Sequence, residues 1–181
     1  MTLENQQRSN DSASTSQLVV QAVGLATAMA LSTAAPAAEH AVSVTETVQL
    51  ASTSARTWAA INDFSAWPSW HPAFASTQVL KGDGHSQGSV RALMTQDGAK
   101  FTEELIAFDA PAHRYQYRII DSPAPVADYV STIEVKEARG GSSVVWSSSF
   151  KVKAGTSEAD AKALISGVYR AGLDHLASVI K

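Results

Sequence analysis

Residues Asp63 to Pro72 read DFSAWPSWHP, and the fold turns on this stretch. Two tryptophans and two prolines in ten residues cannot continue a long helix, because each proline removes a backbone donor and restricts the residue before it. The spacing predicts a short helical turn that ends at Pro72, with Asp63 capping or orienting it. Just upstream, Ala55 to Asn62 has helical periodicity behind a Ser52-Thr53-Ser54 start, with Thr53 or Ser54 as the cap. Trp58 and Ile61 fall three apart on its inner face. Further upstream the period is two: Val42, Val44, Val48 and Leu50 share a face, with Ser43, Thr45, Thr47 and Gln49 opposite. That is a half-buried strand, with Glu46 as the exception on its apolar side.

Downstream of Pro72 come six strand-like runs separated by turn chemistry. They are Ala75–Lys81, Ser89–Gln96, Lys100–Phe108, His113–Ile120, Val126–Glu137 and Ser143–Val152. Gly82-Asp83-Gly84, Asp97-Gly98, Asp109-Ala110-Pro111, Ser122–Pro125 and Gly140-Gly141 punctuate them, and the even spacing predicts an antiparallel meander. Thr156 or Ser157 then caps a helix running to Ile180, with Glu158 and Asp160 in its first turn. Its apolar stripe is read as Ile165, Val168, Tyr169, Gly172, Leu176, Val179 and Ile180. The fold class is therefore α+β: about seven strands, two short helices after the first, and one long closing helix.

Composition narrows the function. The chain has 181 residues, 45% of them hydrophobic, and no cysteine, which excludes disulfide scaffolds, thiolate metal sites and thiol nucleophiles. Fourteen Lys and Arg against seventeen Asp and Glu give a net charge of −3, which argues against nucleic acid or an anionic membrane surface as partner. The first 38 residues differ from the rest. A polar start with Arg8 against Glu4 and Asp11 leads to the apolar run Leu18–Leu31, too short for a spanning helix of ~20 residues. Ala35-Pro36-Ala37 then offers a small-x-small cleavage site. Residues 1–38 are read as a signal peptide cleaved near Ala37 or Ala38, or else as a disordered tail. Residues 39–181 form the single folded domain, with no integral membrane segment in the mature chain.

The element order and several local sequences resemble the SRPBCC superfamily, the helix-grip fold of START domains and the major birch pollen allergen. The likeness is strongest to its polyketide cyclase/dehydrase and lipid transport branch and to the MxaD-like periplasmic proteins. It is carried by Val44–Thr47, Ala59–Trp70 (AAINDFSAWPSW) with His71-Pro72, Gly88–Arg91, Phe101–Leu105, Tyr115–Arg118, Tyr129, Val144–Trp146 and Tyr169–Leu173 (YRAGL). The resemblance implies a curved antiparallel sheet gripping the long helix, with an apolar cavity between them. The amino-terminal segment predicts a periplasmic or secreted location, with a cytoplasmic one as the alternative, since many members of the superfamily are cytosolic; no cofactor is expected.

Several side chains could carry chemistry in such a cavity. His71, beside the implied cavity mouth, reads either as a loop histidine packed on tryptophan or as a ligand contact and proton carrier. Glu103 alternates with Phe101 and Leu105, which makes it a desolvated general base or ligand acceptor, unless Arg91, Arg114 or Arg118 pairs with it or it faces solvent. Glu46 is in the same position on the first strand. Trp67, Trp70, Tyr117, Tyr129, Trp146 and Tyr169 complete the ligand-binding set, because tyrosine and tryptophan suit an apolar pocket with a few polar handles. Gly84-His85-Ser86-Gln87-Gly88 matches a nucleophile pentapeptide, but a strand rather than a helix follows it, so it is read as a flexible loop. The five histidines lack helical ligand spacing, and no metal site is expected. The leading expectation is carriage of a small hydrophobic or aromatic molecule or lipid. The alternatives are a cyclase/dehydrase using His71 or Glu103 as acid/base, and a periplasmic accessory protein that binds a dehydrogenase or its electron carrier.

Overall fold

The computed structural model describes residues 40–181; the expected signal segment lies outside them. Strand β1 (Val42–Leu50) is followed by helix α1 (Ser54–Ile61) and a single 3-10 turn (Trp67–Ser69). Then come β2 (Phe74–Lys81), β3 (Val90–Thr95), β4 (Lys100–Asp109), β5 (Arg114–Asp121), β6 (Val126–Ala138), β7 (Gly141–Val152) and the long helix α2 (Glu158–Val179). Thr53 caps α1 by accepting the Arg56 N–H at 3.3 Å. The Trp-rich stretch is shorter in helical structure than expected, since the turn is confined to Trp67–Ser69 and Trp70 already leaves it. Asp63 holds its approach by accepting the Ser65 N–H at 2.8 Å and the Ser65 hydroxyl at 2.6 Å.

The strands form one antiparallel sheet in the order β1-β7-β6-β5-β4-β3-β2. Every neighbouring pair except β1–β7 is a hairpin, so α1 and the 3-10 turn carry the chain from one sheet edge to the other. Register breaks in β2, β4 and β6 bend the sheet, and Asp128 takes a φ of 51° at the β6 break. The expected Asp97-Gly98 turn joins β3 to β4, with Gly98 at a φ of 88°.

Ser157 caps α2, accepting the Asp160 N–H at 3.1 Å and donating its own hydroxyl to the Asp160 carboxylate at 2.7 Å. The buried line of α2 runs through Ala161, Ile165, Tyr169, Gly172, Leu173 and Leu176. This corrects the expected stripe: the line is centred further toward Leu173, which leaves Val179 at its margin and 56% exposed. Glu46 is anchored to the same helix. It accepts from the Ser166 hydroxyl at 2.5 Å and lies 3.4 Å from Arg170, so it serves the β1–α2 seam. Among the described residues no helix is long and apolar enough to cross a membrane.

Candidate functional site

A cavity of about 80 Å³ lies between the inner sheet face and α2. Period-two alternation delivers its walls: Phe101 and Glu103 from β4, Tyr117 and Ile119 from β5, Tyr129 from β6 and Trp146 from β7. Trp67 of the 3-10 turn and Phe74 close one side; Leu164, Ile165, Val168 and Tyr169 of α2 form the roof. The lining is almost wholly apolar and aromatic. Leu164 is 46% exposed, so this half-exposed leucine lies where the cavity meets solvent.

Of the expected ligand contacts, Trp67, Glu103, Tyr117, Tyr129, Trp146 and Tyr169 converge on this cavity. The polar tips of Tyr117, Tyr129, Trp146 and Tyr169 meet in one network with Ser131. The Trp146 indole N–H faces both the Tyr117 hydroxyl at 3.1 Å and the Ser131 hydroxyl at 3.0 Å. The Tyr129 and Tyr169 hydroxyls lie 2.5 Å apart, and Tyr169 reaches Ser131 at 3.0 Å. Ser131 passes its own proton to the Ser147 carbonyl at 2.9 Å. Burial holds the Tyr117, Tyr129 and Tyr169 hydroxyls well above the ordinary tyrosine range, so all three stay neutral donors. The Trp146 ring stacks on Tyr169 with centroids 4.3 Å apart, joining sheet to helix.

Glu103 faces Arg91 directly across the β3–β4 ladder. Arg91, and neither Arg114 nor Arg118, is its partner; Arg118 pairs with Glu104 on the outer face. Arg91 donates from Nε at 2.9 Å and from Nη2 at 2.6 Å, both to Oε2 of Glu103. Its Nη1 donates to the Phe64 carbonyl. The guanidinium lies 3.7 Å from the Phe64 ring centroid and 3.8 Å from that of Trp67, so it is clamped between two aromatic faces. Burial pushes the Glu103 carboxyl up, and the Arg91 charge pulls against it. Arg91 is buried and permanently charged, so a neutral Glu103 would strip it of its counter-charge.

Trp70 and His71 do not line the cavity. His71 is fully buried rather than at a mouth. Its ring lies nearly parallel to Trp67, 5.9 Å away between centroids. Nε2 donates to the Val168 carbonyl at 3.0 Å, and Nδ1 accepts the Ala73 N–H at 3.2 Å. Both nitrogens are occupied, and burial lowers the imidazole to about 4. This corrects the expectation of a proton carrier near neutral pH: His71 is a neutral strut between the Trp-rich turn and α2. The pentapeptide serine, Ser86, donates to Asp83 at 2.9 Å within an exposed turn.

Thr95, Ile119, Ala124 and Leu164 were not expected as cavity residues, although Ile119 follows Tyr115 and Tyr117 by the same alternation. A second, larger depression of about 700 Å³ opens where β5 and β6 part beyond the Arg118–Val130 pair, and it shares Ile119 and Tyr129 with the inner cavity. Arg118, Asp121, Asp128 and Lys153 make it polar and open, unlike the inner cavity.

Comparison with known proteins agrees with this geometry. XoxI of Bacillus cereus is 31% identical, with a TM-score of 0.72 over 77% of this chain and 95% of that one. An uncharacterised protein of Bacillus thuringiensis is 32% identical, with a TM-score of 0.70 over 76% of this chain and 97% of its own. Ara h 8.0201 shares the fold at 16% identity and a TM-score of 0.64, covering 77% of this chain and 97% of its own. No curated protein matches the sequence. The family model for polyketide cyclase / dehydrase and lipid transport matches residues 41–181. A curved seven-stranded sheet closed by one long helix over an aromatic cavity is thus accompanied by a sequence match along the whole described domain, and the chain belongs to the polyketide cyclase/dehydrase and lipid transport family of the SRPBCC superfamily.

Proposed function

We propose that the protein binds a small hydrophobic or aromatic molecule in the cavity beneath α2. The observation that carries this reading is the lining itself, where aromatic and aliphatic faces surround a space whose tyrosine and Trp146 tips are already hydrogen-bonded. Burial of a single ring, ~200 Å² at ~25 cal/mol per Å², supplies about 5 kcal/mol before ordering costs. The cavity is smaller than the ~150 Å³ that accommodates benzene, so entry requires the roof to give, and half-exposed Leu164 is the wall with most freedom to move.

Binding is favoured over turnover by the state of the two acid/base candidates. His71 has both ring nitrogens engaged, and Oε2 of Glu103 takes both Arg91 bonds. Titration with toluene, followed by tryptophan fluorescence and by amide shifts of Tyr117, Trp146 and Val168, tests the proposal. Saturable shifts confined to cavity residues support it; no shift up to millimolar ligand overturns it.

A further inference from the structure

Building on that reading of the cavity, we infer that its ligand is a neutral molecule with one hydroxyl or N–H donor, placed on Oε1 of Glu103, and that the site rejects carboxylates. Glu103 is 4% exposed and lines the cavity. Both Arg91 donors go to Oε2, which leaves Oε1 as an acceptor without a hydrogen bond from the protein. The carboxylate cannot swing to satisfy it, because Arg91 is itself fixed by the Phe64 carbonyl and two ring faces. A buried charged acceptor with lone pairs to spare is completed by a donor from whatever fills the space.

The other polar groups of the wall cannot play this part for an anion. The Thr95 hydroxyl donates to Asp97, outside the cavity. The Tyr129 and Tyr169 hydroxyls are spent on one another and on Ser131, and the Tyr117 hydroxyl is held in the same network by the Trp146 indole N–H, Ser131 and Tyr129. Among the described residues lining the cavity, Glu103 is the only charged one, so a ligand carboxylate meets a like charge and no cation. The single cation nearby, Arg91, is already committed. Site chemistry therefore selects a phenol-like or aniline-like ring and excludes fatty acids and aromatic acids of similar size.

Three probes of nearly equal volume decide the matter on the full chain: phenol, toluene and benzoate, each titrated against tryptophan fluorescence and cavity amide shifts at pH 7. In a purely apolar hole toluene wins, because phenol loses hydration on entry. We expect the reverse, with phenol at least tenfold tighter than toluene and benzoate at least tenfold weaker than toluene. Toluene equal to or tighter than phenol, or benzoate as tight as toluene, overturns the inference while leaving cavity binding intact; failure of all three to bind overturns both. In Glu103→Gln, verified as folded by near-UV circular dichroism, the benzoate penalty should shrink at least fivefold, and an unchanged ranking counts against the assignment. Should that variant not fold, the ranking in the unaltered protein decides alone.

Discussion

The ring of His71 lies directly against the backbone of Gly172. A methyl group on that glycine would sit 2.5 Å from Cδ2 and 2.8 Å from Nε2 of the histidine, and 3.1 Å from Trp70. Helix α2 can therefore approach the Trp-rich turn only because residue 172 has no side chain, and that approach lets the Val168 carbonyl accept from His71.

Gly172→Ala should destabilise the protein by about 1–3 kcal/mol, since overpacking against a buried ring outweighs the ~1 kcal/mol that alanine adds to a helix. Gly167, on the same helix, has no neighbouring atom within 4 Å of such a methyl. Gly167→Ala should accordingly stabilise by up to ~1 kcal/mol. Urea midpoints of the two variants should move in opposite directions; movement in the same direction refutes the contact.

His71 gives acid sensitivity. Its imidazole is lowered to about 4 in the folded state, from an ordinary value of 6.5. Between those values the unfolded chain holds a proton that the folded one does not. The stability this histidine contributes is complete above pH 6.5 and drains away as pH falls toward 4, by an amount on the order of 3 kcal/mol. A ring-proton NMR titration checks it: the His71 resonance should hold still from pH 8 to 5.5, and a midpoint near 6.5 would sink the prediction.

Arg91→Met leaves the Glu103 carboxylate buried beside no counter-charge, at a cost of about 3–5 kcal/mol. Arg91→Met combined with Glu103→Leu removes both charges from a similar volume and should recover most of that loss. If the double variant is as unstable as the single one, packing of the guanidinium between Phe64 and Trp67, rather than charge pairing, is what the site requires.

Tyr169→Phe removes the hydroxyl that joins Tyr129 to Ser131. A loss of about 1–2 kcal/mol is expected from the buried groups left unpaired, with ring stacking on Trp146 retained. Thermal unfolding measures the first and near-UV circular dichroism the second.

We further propose export of the chain. Amino-terminal sequencing of protein taken from its own cells should begin near Glu39, after cleavage at Ala37 or Ala38, and an intact Met1 refutes it.

Most strands were legible because one face lies on the cavity or core and one toward solvent, whereas the edge strand β2 buries only Phe74 and was marked by its flanking turns. The Glu103–Arg91 pair was not legible: a two-residue Asp97-Gly98 turn sets Glu104 opposite Arg91, whereas the observed loop spans Gln96–Gly98, pairs Thr95 with Ala99 and shifts the register by one to Glu103. Trp70 and His71 were misplaced for a tertiary reason: nothing within DFSAWPSWHP announces that a glycine a hundred residues later will let a helix cover it. Leu164 shows the same limit from the other side, as an apolar residue half in solvent whose role depends on what lies beneath α2.

The one connection in the sheet that is not a hairpin governs the order of assembly. Since β1 lies against β7, Val42 meets Phe150 only after six strands have been laid down, and Glu46 meets Ser166 only once α2 exists. The hairpins from β2 to β7 can zip locally, but closing the β1 edge costs the loop entropy of nearly the whole domain. The aromatic chamber therefore has no partial form: its floor is local in sequence, its roof arrives with α2, and the strand that latches that roof waits unpaired until β7 is laid down. Synthesis through α2 is the condition for a binding site of any kind.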